Sequence, residues 1–586
     1  MSGIDNAGEV DGSGQEMPVS AQAMPGEQAG DRIADWDLRP WALGGLLALC
    51  GLALDFTMPD LSEPTALHGS AAGFLFFGGL AAAFTLDRAK LIAAGLFALF
   101  IGLVMGGIAY SVAEMGDHYA GGGFVFAAGV FFTVLAVPLF QAGFHRTRFA
   151  TDYRLTHFHV WADVVSGAGA LAFTGLSWLM LLLLDQLFGL LGIDAIGDLM
   201  EHSWFAWMWS GAAFGAALGV LRENLKVIGT LQNVVMLVLA LLAVPLAAAI
   251  LVFVVLLLAS GGAALWEATD SATPILLACA AGSFVMFNAI IRDGEDARSK
   301  NVVMLAAALV LAAVILPLVV FAAIGMGLRI DQRGLSPERI WALIAIAVAA
   351  AYGIAAWVAI ARGRIAGWAA QMRQANLNLA AVVCALALVL ALPLWDFGAV
   401  AARNQVARLA SGQTALADFD FTALRWDFGD AGRAVLAQMA AGKIGGGGEA
   451  AQLAHTAQLQ TQRPYDYFGD GQQRAFSGDL RMQAANPQLE QLVRDHLEAN
   501  PWLCSDYCVA VDLGKREGGR SEVALVQHYD YNRVLVGPEP EVPGAETAVA
   551  EQVQQVELMP NSRVEIREER ARYIYVDGKR MGMPVD

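Results

Sequence analysis

Charge is scarce in this chain, and positive charge scarcer still. Only 16% of the 586 residues are charged, with 37 Lys and Arg against 55 Asp and Glu, for a net charge of −18. No tract of clustered bases is present, so the electrostatic footprint of a nucleic-acid-binding protein is missing and no nucleic-acid partner is expected. The glycine-rich stretch GGGGEAAQ lacks the Lys-Ser/Thr that a P-loop places on phosphate and magnesium, which leaves ATP-driven work without a site. The first 39 residues lack both the basic n-region and the apolar core of a cleavable signal peptide. Eight acids face only Arg32 and Arg39 there, and the segment reads as a disordered acidic cytoplasmic tail, 1–39.

Apolar sequence is what the chain has in excess. It is 56% hydrophobic with a mean hydropathy of +0.51, the composition of a polytopic α-helical membrane protein. A helix needs about 20 apolar residues to cross about 30 Å of hydrocarbon, and about eleven such runs recur. They centre on 41–57, 70–84, 91–113, 122–144, 164–184, 205–221, 230–260, 273–291, 302–326, 341–361 and 377–395. The seventh contains Pro245 and is too short to cross twice, so it reads as one long helix.

Orientation follows from the placement of Lys and Arg, which are retained on the cytoplasmic side of spans. Of the 16 bases in 40–397, 13 fall in alternate loops: Arg88 and Lys90; Arg146, Arg148 and Arg154; Arg222 and Lys226; Arg292, Arg298 and Lys300; Arg362, Arg364 and Arg373. The N-terminus is therefore expected inside, and an odd number of crossings puts the C-terminal portion outside. This predicts a transmembrane bundle at 40–397. Beyond it come a helical extracytoplasmic segment at 398–442, a flexible linker at 443–480 that opens with KIGGGGEA, and a small extracytoplasmic α+β domain at 481–586. Within that domain Asn486-Pro487 starts a helix that Asn500-Pro501 stops. Strand-like runs follow at 508–513, 522–528, 533–536, 553–558 and 572–576, the last entering a hairpin at Asp577-Gly578.

Cys504 and Cys508 open this strand region. On the oxidising side of a membrane so close a pair is expected to cross-link. A metal site would need more ligands than the neighbouring His496 and His528 supply, and two buried reduced thiols remain the alternative. Metal and cofactor sites are not expected elsewhere. His157 and His159 lie two apart at a helix entry beside His145 and Asp163; such residues point to nearly opposite sides, which suits an interfacial pair better than a metal cage. Asp185 reads either as an interfacial carboxylate or as a coupling group, and Asn233 and Asn288 as interhelical hydrogen-bonding residues.

Three bases break the charge rule. Arg329, Arg333 and Arg339 lie in GLRIDQRGLSPERI, 327–340, on the expected outer side. Ser336 suits an N-cap, Pro337 the first helical position and Glu338 the positive end of the helix dipole. The functional alternative is that this fork of guanidinium groups beside a helix N-terminus holds an anionic group, either a lipid phosphate or a carboxylate of the exported domain.

The segment LPLVVFAAIGMGLRIDQRGLSPERIWALI, 316–344, resembles the most distinctive motif of the bacterial membrane proteins called the domain of unknown function 4153 family. FTGLSWLMLLLLDQLFGLLGI, 173–193, and VMFNAIIRDGE, 285–295, are similar to other blocks of it. So is 404–440, in Arg408, Leu409, Gly412, Asp418, Phe419, Leu424, Arg425 and Gly432; Arg329 and Arg339 also match. The resemblance implies a multi-pass inner-membrane protein without an assigned reaction. Two function classes follow. One is a non-enzymatic module for envelope sensing, scaffolding or transport, with the bilayer and an envelope protein or anionic lipid as partners. The other is a membrane-embedded enzyme or flippase acting on an anionic lipid-linked substrate at the outer face.

Overall fold

The computed structural model describes residues 36–57, 65–118, 120–262, 272–445, 448–460, 463, 479–500, 503–504, 507–515, 520–526, 531–537, 564–568, 572–576 and 579–581. Eleven helices in it are long and apolar enough to cross a membrane, matching the eleven expected runs. They are α1 (Arg39–Thr57), α2 (Ala66–Thr85), α3 (Leu91–Met115), α4 (Gly122–Gln141), α5 (Tyr153–Gly189), α6 (Ser203–Glu223), α7 (Leu225–Ala259), α8 (Ala272–Ile291), α9 (Val302–Arg333), α10 (Pro337–Arg364) and α11 (Gly367–Ala391). Residues 225–259 form one helix with Pro245 inside. Between α10 and α11 the chain breaks helical geometry at Arg364, with φ of +50°. This is a multi-pass membrane protein.

Small residues set the closest helix approach. Gly211, Gly215 and Gly219 recur every fourth residue on α6, and a Cβ on any of them would collide with backbone of α1 at Leu47, Leu43 or Pro40. In lipid, helices gain little from hiding apolar area from one another, so close backbone contact is what holds such pairs. Two reciprocal bonds tie α5 to α6: Trp178 Nε1 donates to Ser210 Oγ at 3.0 Å and Trp209 Nε1 to Ser177 Oγ at 3.2 Å. The larger apolar core joins α7, α8, α9, α10 and the start of α11, around Leu276, Phe287, Leu311, Leu318 and Met372. A second joins α2, α3 and α4 to α11, around Ile101, Met105 and Leu377.

Beyond α11 a small helical layer forms from α12 (Phe397–Ala410), α13 (Phe421–Trp426), α14 (Gly429–Ala440) and α15 (Gly448–Gln458), closed over Phe421, Leu424, Leu436 and Met439. The stretch expected to be a flexible linker from 443 thus contains a helix. Its alanines Ala450, Ala454 and Ala457 are small enough to bury on one face, which the glycines beside them obscure in the sequence. It sits on α14 and extends the helical layer.

Residues 462–586 form a separate compact unit. Strands β1 (Asp479–Met482), β2 (Tyr507–Lys515), β3 (Ser521–Val526) and β4 (Tyr531–Val536) lie in that order, β1 parallel to β2 and the others antiparallel. Helix α16 (Pro487–Ala499) buries Leu489, Val493 and Leu497 against one face of this sheet. Its N-cap is Asn486, whose side chain accepts from the Leu489 amide at 3.2 Å. A second sheet holds β5 (Val564–Glu568), β6 (Arg572–Val576) and β7 (Lys579–Met581), all antiparallel. Strands β1 and β5 were not expected from the sequence, and the expected strand at 553–558 lies outside the described residues. The unit is α+β.

Candidate functional site

Helix α9 runs to Arg333 and stops at Gly334, whose φ is +73°. A helix end leaves carbonyls without partners, and here other helices supply the donors. Arg339 Nη1 donates to Gly334 O at 2.6 Å and to Arg333 O at 3.2 Å. Gln405 Nε2, from α12, donates to Arg333 O and Leu335 O, both at 2.9 Å, and Arg408 Nη2 donates to the carbonyls of Asp331 and Gln332. The Leu335 amide donates to Asn404 Oδ1 at 2.9 Å. Ser336 caps α10, accepting from the Arg339 amide at 3.3 Å, with Pro337 in the first turn.

The three expected arginines therefore divide. Arg329 and Arg333 lie one turn apart on α9, half-buried and exposed respectively, while Arg339 turns its guanidinium onto backbone carbonyls. The loop does hold part of the segment after α11, but through amides and a guanidinium on carbonyl oxygens, with no carboxylate in those contacts.

At the same end of the bundle, His118 Nδ1 lies 3.0 Å from Asp430 Oδ2, and Arg433 Nη2 2.7 Å from Asp430 Oδ1. The Arg433 hydrogen bond, then that of His118, holds the Asp430 carboxyl below the usual carboxylate range. Gly429, with φ of +63°, brings α14 against the His118 carbonyl, where a Cβ would not fit.

The opposite end of the bundle gathers the Arg-rich loops, and its polar contacts organise around the start of α5. Tyr153 and His157, four residues apart, face α8 and α11; His159 and Asp163, also four apart, face the other way. On the first side Arg373 is the hub. Its Nη2 donates to Ile291 O at 2.7 Å, its Nε to Arg292 O at 3.1 Å, and its Nη1 to Glu295 Oε1 at 2.9 Å. Asn376 Nδ2 donates to Asn288 Oδ1 at 2.7 Å, and Arg292 Nη1 to Asn233 Oδ1 at 3.1 Å. His157 is buried among these groups. On the second side Gln141 Nε2 donates to Phe84 O at 2.7 Å and to Asp163 Oδ1 at 3.1 Å, Arg222 Nη1 donates to Ala83 O, and Arg39 pairs with Glu223 at 3.0 Å.

The histidines thus point to opposite sides, as their spacing implies, and among the described residues no three His, Cys, Asp or Glu side chains converge as a metal cage. Asn233 and Asn288 are interhelical hydrogen-bonding residues. Asp185 lies under Gly197 of the short helix Ala195–Met200 and accepts from Gln186 at 3.3 Å. Cys504 and Cys508 have Cα atoms 5.9 Å apart and their Sγ atoms at bonding distance, beneath α16.

Arg222 and Arg373 were visible in the sequence only as flanking charges, and Arg39 only as a base of the acidic tail expected at 1–39, whereas it opens α1 and is buried. A common geometry explains them together with Arg339 and Arg408: each donates to carbonyls near the C-terminal end of a long apolar helix. Residues 74–439 match the family model described as domain of unknown function, DUF4153. The chain belongs to this family. The match runs from within α2 to near the end of α14, so it takes in α12 to α14 of the helical layer and the clasp on α9, and leaves out α1, α15 and residues 462–586. No curated protein and no solved structure matches the chain.

Proposed function

We propose that this DUF4153 member is a non-enzymatic inner-membrane module of the bacterial envelope, a scaffold or sensor that presents the helical layer and the α+β unit on the periplasmic side. The observation that carries this reading is the clasp of Asn404, Gln405 and Arg408 on the end of α9. It joins the span-to-span loop of the family's most distinctive motif to the layer beyond the bundle, through hydrogen bonds between side chains and backbone groups. The apolar interior of the bundle, filled by Ala, Leu, Ile and Phe, supports it further.

The orientation rests on the 13 of 16 bases at one end. Of the three at the other end, Arg339 serves as a helix cap, which α9 needs wherever it ends. On this orientation Cys504 and Cys508 meet an oxidising compartment and are disulfide-bonded in the mature protein.

A second reading, chemistry on an anionic lipid-linked substrate at the outer face, draws on the His118, Asp430 and Arg433 cluster. His118 and Asp430 of that cluster are mostly exposed to solvent, which favours the first reading. Complementation of a deletion strain separates them. Arg408→Ala with Gln405→Ala should abolish complementation while His118→Ala and Asp430→Asn preserve it; the reverse pattern would establish the enzymatic reading.

A further inference from the structure

At the Arg-rich end most arginines are spent inside the fold. Arg39, Arg154, Arg298 and Arg373 each pair with a carboxylate, Arg222 donates to a carbonyl and Arg292 to an asparagine. The loops at 86–90 and 142–152 differ. Arg88, Lys90, Arg146 and Arg148 are exposed, and among the described residues none of the four has an ion pair. The two carboxylates nearest them in sequence serve as caps: Asp87 accepts from the Ala89 amide at 3.1 Å and Asp152 from the Arg154 amide at 2.9 Å.

The two loops adjoin, since 88–90 leads directly into α3, 142–152 follows directly from α4, and the two helices meet at Phe97 and Phe140. The patch is also built. Phe97 of α3 stacks on Phe140 of α4 with ring centroids 4.1 Å apart, and Phe140 stacks on His145 at 4.9 Å. His145 Nε2 then accepts from Arg146 Nε at 3.1 Å, which fixes the guanidinium beside the column. Partial burial, then Arg146 and Lys90, lower the His145 pKa from its ordinary value, which favours the neutral ring that this contact requires. Arg148 follows with φ of +49°, a conformation that non-glycine residues rarely take, and Phe149 beside it is 56% exposed. Below the patch α3 presents Ile92 and Leu96 outward, 81% and 62% exposed, as a lipid-facing wall.

We propose that Arg88, Lys90, Arg146 and Arg148 form a binding surface for the phosphate headgroup of an anionic phospholipid in the adjoining leaflet, with Phe149 set into the interface. Four exposed bases without an ion pair among the described residues, at the mouth of an apolar wall, meet a phosphate and its acyl chains together, the pairing that basic clusters between spans use for anionic lipids. Arg146 supplies the positioned guanidinium, and Arg88, Lys90 and Arg148 the surrounding field. This surface lies at the end opposite to the Arg329, Arg333 and Arg339 loop and does not depend on what that loop does.

The test is lipid retention by the full-length protein, read by native mass spectrometry after purification in detergent with phosphatidylglycerol or phosphatidylcholine. The intact protein should prefer phosphatidylglycerol, and the preference should collapse between low and high salt. Arg146→Gln with Arg148→Gln should weaken phosphatidylglycerol retention about 25-fold at low salt, from about fivefold for each charge removed. Arg146→Lys with Arg148→Lys should retain most of the preference. Equal retention of both lipids by the intact protein, a preference indifferent to salt, or an unchanged preference in the double Gln variant would overturn the proposal. Displacement of the lipid by millimolar inorganic phosphate would also overturn it, by assigning the patch to a free anion.

Discussion

A methyl group on Gly215 would fall within the van der Waals shell of the Leu43 carbonyl oxygen, so α1 and α6 touch backbone to backbone at that point. Gly215→Leu should push α1 away and destabilise the bundle by about 1–3 kcal/mol, the usual range for overpacking. Gly45→Ala makes the control: a Cβ there meets nothing within 4 Å and should leave thermal unfolding in detergent unchanged. Equal unfolding temperatures for the two variants would show that the glycine stripe does not hold α1.

Arg373 offers a sharper case, because its side chain is buried and satisfies two carbonyls and Glu295 at once. Arg373→Met should cost about 1–3 kcal/mol, since it leaves the last carbonyls of α8 without these donors while Glu295 keeps its pair with Arg298. Arg373→Lys should rescue little, as one ammonium cannot reproduce the three-way fork. Thermal unfolding of the purified variants is the measurement, and full rescue by Lys would reduce the role of Arg373 to charge.

Asn404 accepts the Leu335 amide across 69 residues of chain. Asn404→Ala should raise exchange of that amide about tenfold or less, the worth of about 1 kcal/mol for one hydrogen bond, without altering the amides of α10 beyond its first turn. Hydrogen exchange with peptide mapping over 331–336 reads it directly. No change would mean that the clasp is held by Gln405 and Arg408 alone.

Acid should loosen the contact of α14 with His118. The Asp430 pKa is lowered in the fold, so its contribution is complete above the ordinary carboxylate value and is lost as pH falls through the lowered one. Intact protein and Asp430→Asn should therefore differ in exchange around His118 above about pH 5 and converge only as the pH falls below the ordinary carboxylate range. Because the pair is exposed, the difference should shrink at high salt.

Alkylation before and after reduction should find Cys504 and Cys508 protected together in membranes prepared without reductant. Loss of this short loop closure in Cys504→Ser with Cys508→Ser should cost the α+β unit about 2 kcal/mol. Two thiols alkylated freely before reduction would favour the reduced alternative.

Family membership was legible in the sequence because the stretch at 316–344 is distinctive where most membrane helices are not. The clasp built on that stretch was legible only in part. Ser336 and Pro337 announce a helix start through local rules, and the structure places them so. The partner of Arg339, by contrast, is a set of carbonyls, and backbone oxygens carry no signature in the sequence. Arg408 stood among the family-like positions without a role until α12 was seen to lie across the end of α9.

By itself the sequence determined the class of the protein and the number and extent of its spans, because hydrocarbon imposes a length and an apolarity that each helix must meet alone. Tertiary structure decided which arginines are free and which are spent. A helix in lipid cannot leave its last carbonyls bare, and the donor that reaches them comes from whichever neighbouring helix packs there. That neighbour is set by packing, where a glycine at Gly215 or an alanine at Ala454 counts for more than any charge. Arg146 and Arg373 are therefore alike in sequence, each a base beside a span, yet one is exposed without an ion pair among the described residues and the other is locked onto α8.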